Sequence, residues 1–188
     1  EIAEKTGRKT LAVGTHVGRW DECNALADTV LETFGRCDIL VNNAGMSPLY
    51  EKVTDITEEY YDKVQGVNLK GPFALSLRLG GHMFDHDGGS ILNISTIGSI
   101  RPSRAEVVYG MAKSGLNAMT VALADALGPK VRVNCILPGA ILTDISKAWS
   151  EETIATPHKT PLGRAGYAED FPGAALFFAS EASAWITG

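Results

Sequence analysis

A chain of 188 residues, 45% hydrophobic and 21% charged, has the length of one domain and enough apolar material for a sizeable core. Its formal net charge of −5 comes without blocks of like sign, so the chain carries no basic footprint for nucleic acid or an anionic membrane. No apolar run nears bilayer-spanning length, and the opening Glu1-Ile2-Ala3-Glu4-Lys5 reads as helix interior rather than a secretory signal. Cys23, Cys37 and Cys135 are odd in number and lack metal or redox spacing, which predicts reduced thiols in a cytoplasmic protein.

In chain order, residues 10–14 read as a short strand, and 20–34 as a helix with Leu26, Val30 and Phe34 at helical spacing. Residues 37–41 form a nearly continuous apolar run, as suits a strand buried on both faces of a parallel sheet, and end in Asn42-Asn43-Ala44-Gly45. A long helical region over 57–84 is entered through the capping-type sequence Thr54-Asp55-Ile56-Thr57-Glu58. Gly88-Gly89 breaks the chain before a strand at 90–94. A helix over 105–127 leads to a strand at 131–136, which stops at Pro138-Gly139. Residues 142–166 are polar and irregular, and 168–179 close as a helix. Alternation of this kind predicts βαβ units and a doubly wound parallel sheet in a three-layer αβα sandwich. Ligands of such sheets bind beyond the carboxyl ends of the strands. Asn42 to Gly45, Ser95-Thr96 and Pro138-Gly139 all fall there.

Tyr109 and Lys113 lie four apart, so a helix sets them on one face about a turn apart. A free tyrosine titrates near pH 10, and a neighbouring ammonium favours the phenolate, drawing the group toward the range of a general acid or base. Such a pair could pass a proton to a carbonyl under reduction or take one from an alcohol under oxidation. By itself, this spacing is also that of an ordinary surface pair.

Five motifs in order and register carry more: Asn42-Asn43-Ala44-Gly45, Asn68 in Val67-Asn68-Leu69-Lys70-Gly71, Asn93-Ile94-Ser95-Thr96, Tyr109-x-x-x-Lys113 and Pro138-Gly139-x-x-x-Thr143. Together they resemble the short-chain dehydrogenase/reductase family, similar to its 3-oxoacyl-carrier-protein reductases. The tail from Pro161-Leu162-Gly163-Arg164 to Trp185-Ile186-Thr187-Gly188 looks like that family's C-terminal third. The resemblance implies a Rossmann-like NAD(P)-dependent oxidoreductase that moves hydride between cofactor and a secondary alcohol or ketone. In it, Tyr109 is the acid/base, Lys113 lowers the tyrosine and binds the nicotinamide ribose, and the Asn68 backbone holds a relay water. Asn43, Ala44 and Gly45 line the cofactor ribose, and Asn42 ties strands together. Pro138, Gly139, Ile141 and Thr143 grip the nicotinamide.

Two positions depart from the family pattern. Where a serine usually stands, 13 residues before the tyrosine, the chain has Thr96, with Ser95 just before it. Either hydroxyl could hold the substrate oxygen, Thr96 by register and Ser95 after a one-residue shift. Beside Val17, His16 stands where the family commonly has an adenine-binding aspartate. It accepts through one imidazole nitrogen or is a rim residue. No glycine-rich phosphate turn occurs anywhere. The expectation is one partial domain over 1–188, incomplete at both ends, that binds NAD or NADP weakly. The residue that would choose between the two lies in the region that resemblance finds missing.

His82 and His86 stand at i, i+4, a zinc-compatible spacing at what reads as a solvated helix end, without the rest of a His-Glu-x-x-His motif. No metal is expected. Residues 143–166 are expected to be mobile and to cover the substrate, with Trp149 and Ile154 either covering it or packing, and His158 without evident partner. The helix carrying Tyr109 is apolar on more than one face, at Leu116, Met119, Val121, Leu123 and Leu127, which predicts a homodimer or homotetramer. A non-catalytic binding or assembly subunit, and an epimerase or dehydratase of the same superfamily, remain as alternatives.

Overall fold

The computed structural model describes residues 2–144, 146 and 160–188. Its elements are α1 (Ile2–Thr6), α2 (Trp20–Phe34), β1 (Ile39–Asn42), α3 (Glu58–Gln65), a π-helical turn (Gly66–Lys70), α4 (Gly71–Asp85) and β2 (Gly89–Ile94). They continue with α5 (Val107–Leu127), β3 (Val131–Ile136), β4 (Ile141–Leu142), β5 (Gly166–Tyr167) and α6 (Pro172–Ala179). Strands β1, β2 and β3 form one parallel sheet in that order, with Leu40 beside Ile91 and Ile91 beside Val133.

Side chains of successive strand residues point to opposite faces, and this sets the layers. Ile91 Cδ1 lies 3.0 Å from where a Cβ on Gly80 of α4 would be, so α4 covers that face. The preceding Ser90 points the other way and donates its hydroxyl to the Phe178 carbonyl of α6 at 2.8 Å. Arg132, the register partner of Ser90, also donates to that carbonyl. The expected three-layer αβα arrangement is therefore present. Its core packs Leu40, Leu75, Leu79, Met83, Ile91, Leu116, Val131 and Val133 between the sheet and helices α2, α4 and α5.

A buried polar ladder crosses the layers. Asn42 Nδ2 donates to Asn93 Oδ1 at 2.8 Å and to Ser76 Oγ at 3.0 Å, and Asn93 Nδ2 donates to Thr120 Oγ1 at 2.9 Å. Such a network is stabilising only when complete, and among the described residues no buried side-chain polar atom lacks a partner. Asn42 has the strand-tying place expected of it.

Three expectations need correction. The run at 37–41 does supply a strand, but Ile39 and Val41 are exposed, so it is not buried on both faces. Residues 10–14 form no strand: Leu11 and Val13 are 42% and 40% exposed, and no described strand lies alongside to complete a ladder. The helical region 57–84 is not uniform, since the π turn separates α3 from α4. Its cause is local. Asn68 Nδ2 donates to the Val64 carbonyl at 2.9 Å, taking the acceptor that its own N–H would use in an α-helix. Four residues on, Pro72 has no N–H to offer the Asn68 carbonyl. The segment 142–166 is tied at its ends by β4 pairing in parallel with β5, while Trp149, Ile154 and His158 lie outside the described residues.

Candidate active site

Helix α5 runs alongside β3 and buries Val108, Ala112, Leu116, Thr120 and Leu123. Its first free N–H groups need a partner, and Tyr50 supplies one from the loop after β1. The Tyr50 hydroxyl accepts from Val107 N–H at 3.0 Å and donates to the Arg104 carbonyl at 2.7 Å. This pins the end of the helix that bears Tyr109. Tyr50 carries no local sequence signal for that role, because it arises from contact across more than fifty residues.

Lys113 is 3% exposed and donates its ammonium to the Ile94 carbonyl, the last of β2, at 2.7 Å. Burial lowers its pKa from 10.5 to about 8. Its Nζ lies 5.8 Å from the centroid of the Tyr109 ring. Tyr109 is half-buried, and burial, with the Glu106 carboxylate adding to it, pushes its phenol above the ordinary value. The lowering expected from the lysine is not found: burial of the ring, then the Glu106 carboxylate, set the direction.

The other polar groups gather around this pair. Asn68 is fully buried in the π turn and clamps Met46, accepting from its N–H at 3.2 Å and donating to its carbonyl at 2.8 Å. Gly45 precedes it. A Cβ there would lie 3.1 Å from Asn68 Oδ1 and 3.6 Å from Lys113 Nζ, so the absent side chain leaves a notch open above the ammonium. Ser95 is buried and donates its hydroxyl to the Lys113 carbonyl at 3.3 Å. Thr96 is half-buried, and its Oγ1 accepts from Gly98 N–H at 3.2 Å, which leaves its own proton free to donate.

Asn43, Ala44 and Gly45 are exposed at the carboxyl end of β1. Val17, Leu26, Val41, Asn43, Ala44 and Leu75 line a trough there. Val17 is held against α4 by close backbone approach: a Cβ on Gly71 would sit 2.1 Å from the Val17 carbonyl oxygen. His16 stands in the turn before α2, where its Nδ1 accepts from Gly18 N–H at 3.2 Å and its own N–H donates to Glu22 at 2.6 Å. The nitrogen able to accept is used within that turn. Beyond β3, the Pro138 carbonyl accepts from Ile97 N–H at 2.9 Å, which joins the Pro138-Gly139 bend to the Thr96 loop. Gly139 and Thr143 are exposed and Ile141 is half-buried in β4. All three strand ends therefore meet along one edge.

The histidine pair lies apart, at the end of α4. The rings of His82 and His86 stack at 4.1 Å, with His86 Nδ1 against the His82 carbonyl at 2.8 Å, and no group of three or more metal-ligating side chains occurs among the described residues. No described helix is long and apolar enough to cross a membrane.

A parallel sheet whose strand ends carry a buried lysine, a tyrosine one turn away and a hydroxyl beside them defines a class of protein, and relatives agree with it. Residues 1–188 match the family described as Enoyl-(Acyl carrier protein) reductase. The chain is 34% identical to human dehydrogenase/reductase SDR family member 4, covering all of this chain and 69% of that protein. It is also 34% identical to the NAD-dependent glycerol dehydrogenase of Listeria innocua, over 96% of this chain and 72% of the relative. A Sinorhizobium meliloti structure solved as a candidate short-chain alcohol dehydrogenase superposes with a TM-score of 0.92 at 35% identity, covering 98% of this chain and 74% of that one. The chain belongs to the short-chain dehydrogenase/reductase family, and it is an oxidoreductase.

Proposed function

We propose that the chain interconverts a secondary alcohol and a ketone, with NAD or NADP as hydride partner and Tyr109 as the group that gives or takes the proton. The observation that carries this reading is the convergence of Tyr109, buried Lys113, Thr96 and Asn68 at the carboxyl ends of parallel strands. The residues present suit such a cofactor. The notch at Gly45, beside the Lys113 ammonium, would take the ribose hydroxyls, and Asn43 and Ala44 would flank it. Val17 would border the adenine end, while Pro138, Gly139, Ile141 and Thr143 would hold the nicotinamide. The bound cofactor supplies or removes the hydride.

The protein contributes position and the proton. With its phenol pushed up, Tyr109 keeps its proton at neutral pH and can donate it to a carbonyl oxygen under reduction. Thr96 donates its hydroxyl to the same oxygen, since its Oγ1 already accepts from Gly98 and only its proton remains to be given. Ser95 spends its proton on the Lys113 carbonyl and is a positioning residue for that lysine. Lys113 places a positive charge beside the phenol that would stabilise its anion when the proton leaves. The Asn68 carbonyl, without an α-helical donor because of Pro72, can hold a water that links Lys113 to solvent.

Oxidation of NADH and NADPH by a panel of methyl ketones tests this reading. Thr96→Val should lower kcat/KM by about a hundredfold, the usual cost of one donor to a developing oxyanion. Ser95→Ala should lower it by less than about fivefold. The reverse order would move the substrate hydroxyl to Ser95, and no oxidation by any ketone in the wild type would sink the reading.

A further inference from the structure

Glu106 is the residue before α5 and stands three positions ahead of Tyr109. An acidic residue at a helix N-terminus ordinarily serves the helix, and yet the Glu106 side chain makes no capping bond. The Tyr50 hydroxyl has taken that place by accepting from Val107 N–H. Glu106 is half-buried, and its carboxylate has no ion pair and no side-chain hydrogen bond among the described residues. Arg101 and Arg104 on the same loop are exposed and do not pair with it. Capping and charge pairing therefore both leave this carboxylate unexplained.

Its position is specific. The carboxylate lies over Gly98, where a Cβ would come within 2.6 Å of Oε1 and 3.1 Å of Cδ, so only glycine leaves it room. Gly98 also donates its N–H to Thr96 Oγ1. The acid thus rests on the loop that presents the Thr96 hydroxyl, one helical turn from Tyr109. It is near enough to help push that phenol upward.

We propose that Glu106 is a specificity-determining residue, drawing alcohols and ketones with a positively charged nitrogen close to the reacting carbon and turning away anionic ones. This rests on the reading of Tyr109 and Thr96 as the groups that meet the substrate oxygen. A partly shielded carboxylate facing a ligand cation a few ångströms away is worth about tenfold in affinity.

Three secondary alcohols test it: (2-hydroxypropyl)trimethylammonium, its neutral isostere 4,4-dimethylpentan-2-ol, and the anion 3-hydroxybutyrate. Binding to the full chain is titrated by saturation-transfer NMR, and turnover is followed separately with NAD+ and NADP+. The wild type should bind the cation about tenfold more tightly than the isostere, and the anion most weakly. Glu106→Gln should abolish that ranking while leaving the isostere unchanged, and Glu106→Asp should keep its sign. Equal binding of cation and isostere by the wild type overturns the proposal. So does an equal weakening of all three ligands in Glu106→Gln, which is what a purely structural role would give. Turnover of none of them, with the binding ranking intact, would count against the catalytic reading and not against Glu106.

Discussion

Replacing Tyr109 by phenylalanine should cut ketone reduction by about a thousandfold while the protein stays folded. The ring is half-buried on α5, and phenylalanine preserves its packing and removes only the hydroxyl. General acid catalysis by a positioned side chain contributes about 10²–10⁴-fold, so the loss corresponds to about 4 kcal/mol of transition-state stabilisation. Affinity for NADH or NADPH should change by less than about threefold, because a group that acts in the transition state lowers kcat far more than binding. The wild-type enzyme should also show opposite pH trends in its two directions. With the phenol held above its ordinary value, ketone reduction should stay level through neutral pH. Alcohol oxidation, which needs the phenolate, should rise with pH. Steady-state rates in both directions, with cofactor fluorescence titrations, check this. A Tyr109→Phe variant with wild-type turnover would remove the tyrosine from the chemistry.

Replacing Lys113 by methionine should have two effects of opposite sign. Activity should fall by at least about a hundredfold, since the charge that favours the phenolate is gone. Stability at pH 7 should rise by about 1–2 kcal/mol. The reason is burial: the 3%-exposed ammonium has its pKa lowered from 10.5 to about 8, so the folded state bears a desolvation cost that the unfolded chain does not. The full shift corresponds to about 3 kcal/mol, and the Ile94 carbonyl left without its donor returns about 1 kcal/mol of that. The pH window follows from the same shift. Between about pH 8 and 10.5 the unfolded chain holds a proton that the folded chain has released, so wild-type stability should gain across that range. In Lys113→Met that gain should vanish. Urea unfolding of both proteins at pH 7 and pH 9.5 measures it, and a variant less stable than the wild type at pH 7 would contradict it.

The sheet was legible wherever a strand had a neighbour within the chain. The runs at 90–94 and 131–136 read as buried parallel strands and became β2 and β3, while the apolar run after Cys37 became β1 with one face, Ile39 and Val41, left exposed. Residues 10–14 are apolar too but have no described strand beside them, and a ladder cannot be inferred from one side. The π turn was encoded by Asn68 and by Pro72 four residues later, but that signal becomes readable only once the Asn68 amide is seen on the Val64 carbonyl. For the site, the spacing of Tyr109 and Lys113 fixed which residues face one another. It did not fix their ionisation, because desolvation of the ring depends on tertiary packing. The hydrogen-bond partners of Ser95 and Thr96, the Lys113 carbonyl and the Gly98 N–H, were likewise not readable from the sequence. Glu106 carried no signal in the sequence, because the helix was expected over 105–127 and the acid lay within its first turn, whereas the structure starts it at Val107. Its side chain makes no capping bond, and the Tyr50 hydroxyl accepts from Val107 N–H in its place.

The central claim is that this chain directs hydride to a carbonyl carbon while Tyr109 supplies the proton. Its most direct test is product analysis after reduction of a methyl ketone with NADH or NADPH deuterated at the nicotinamide C4 position, the label being placed on either face in turn. The account predicts deuterium on the carbinol carbon from one face only, with solvent hydrogen on the hydroxyl, and labelled product forming about a thousandfold more slowly in Tyr109→Phe. Carbinol carbon carrying solvent hydrogen, or label transfer undiminished in Tyr109→Phe, would contradict it.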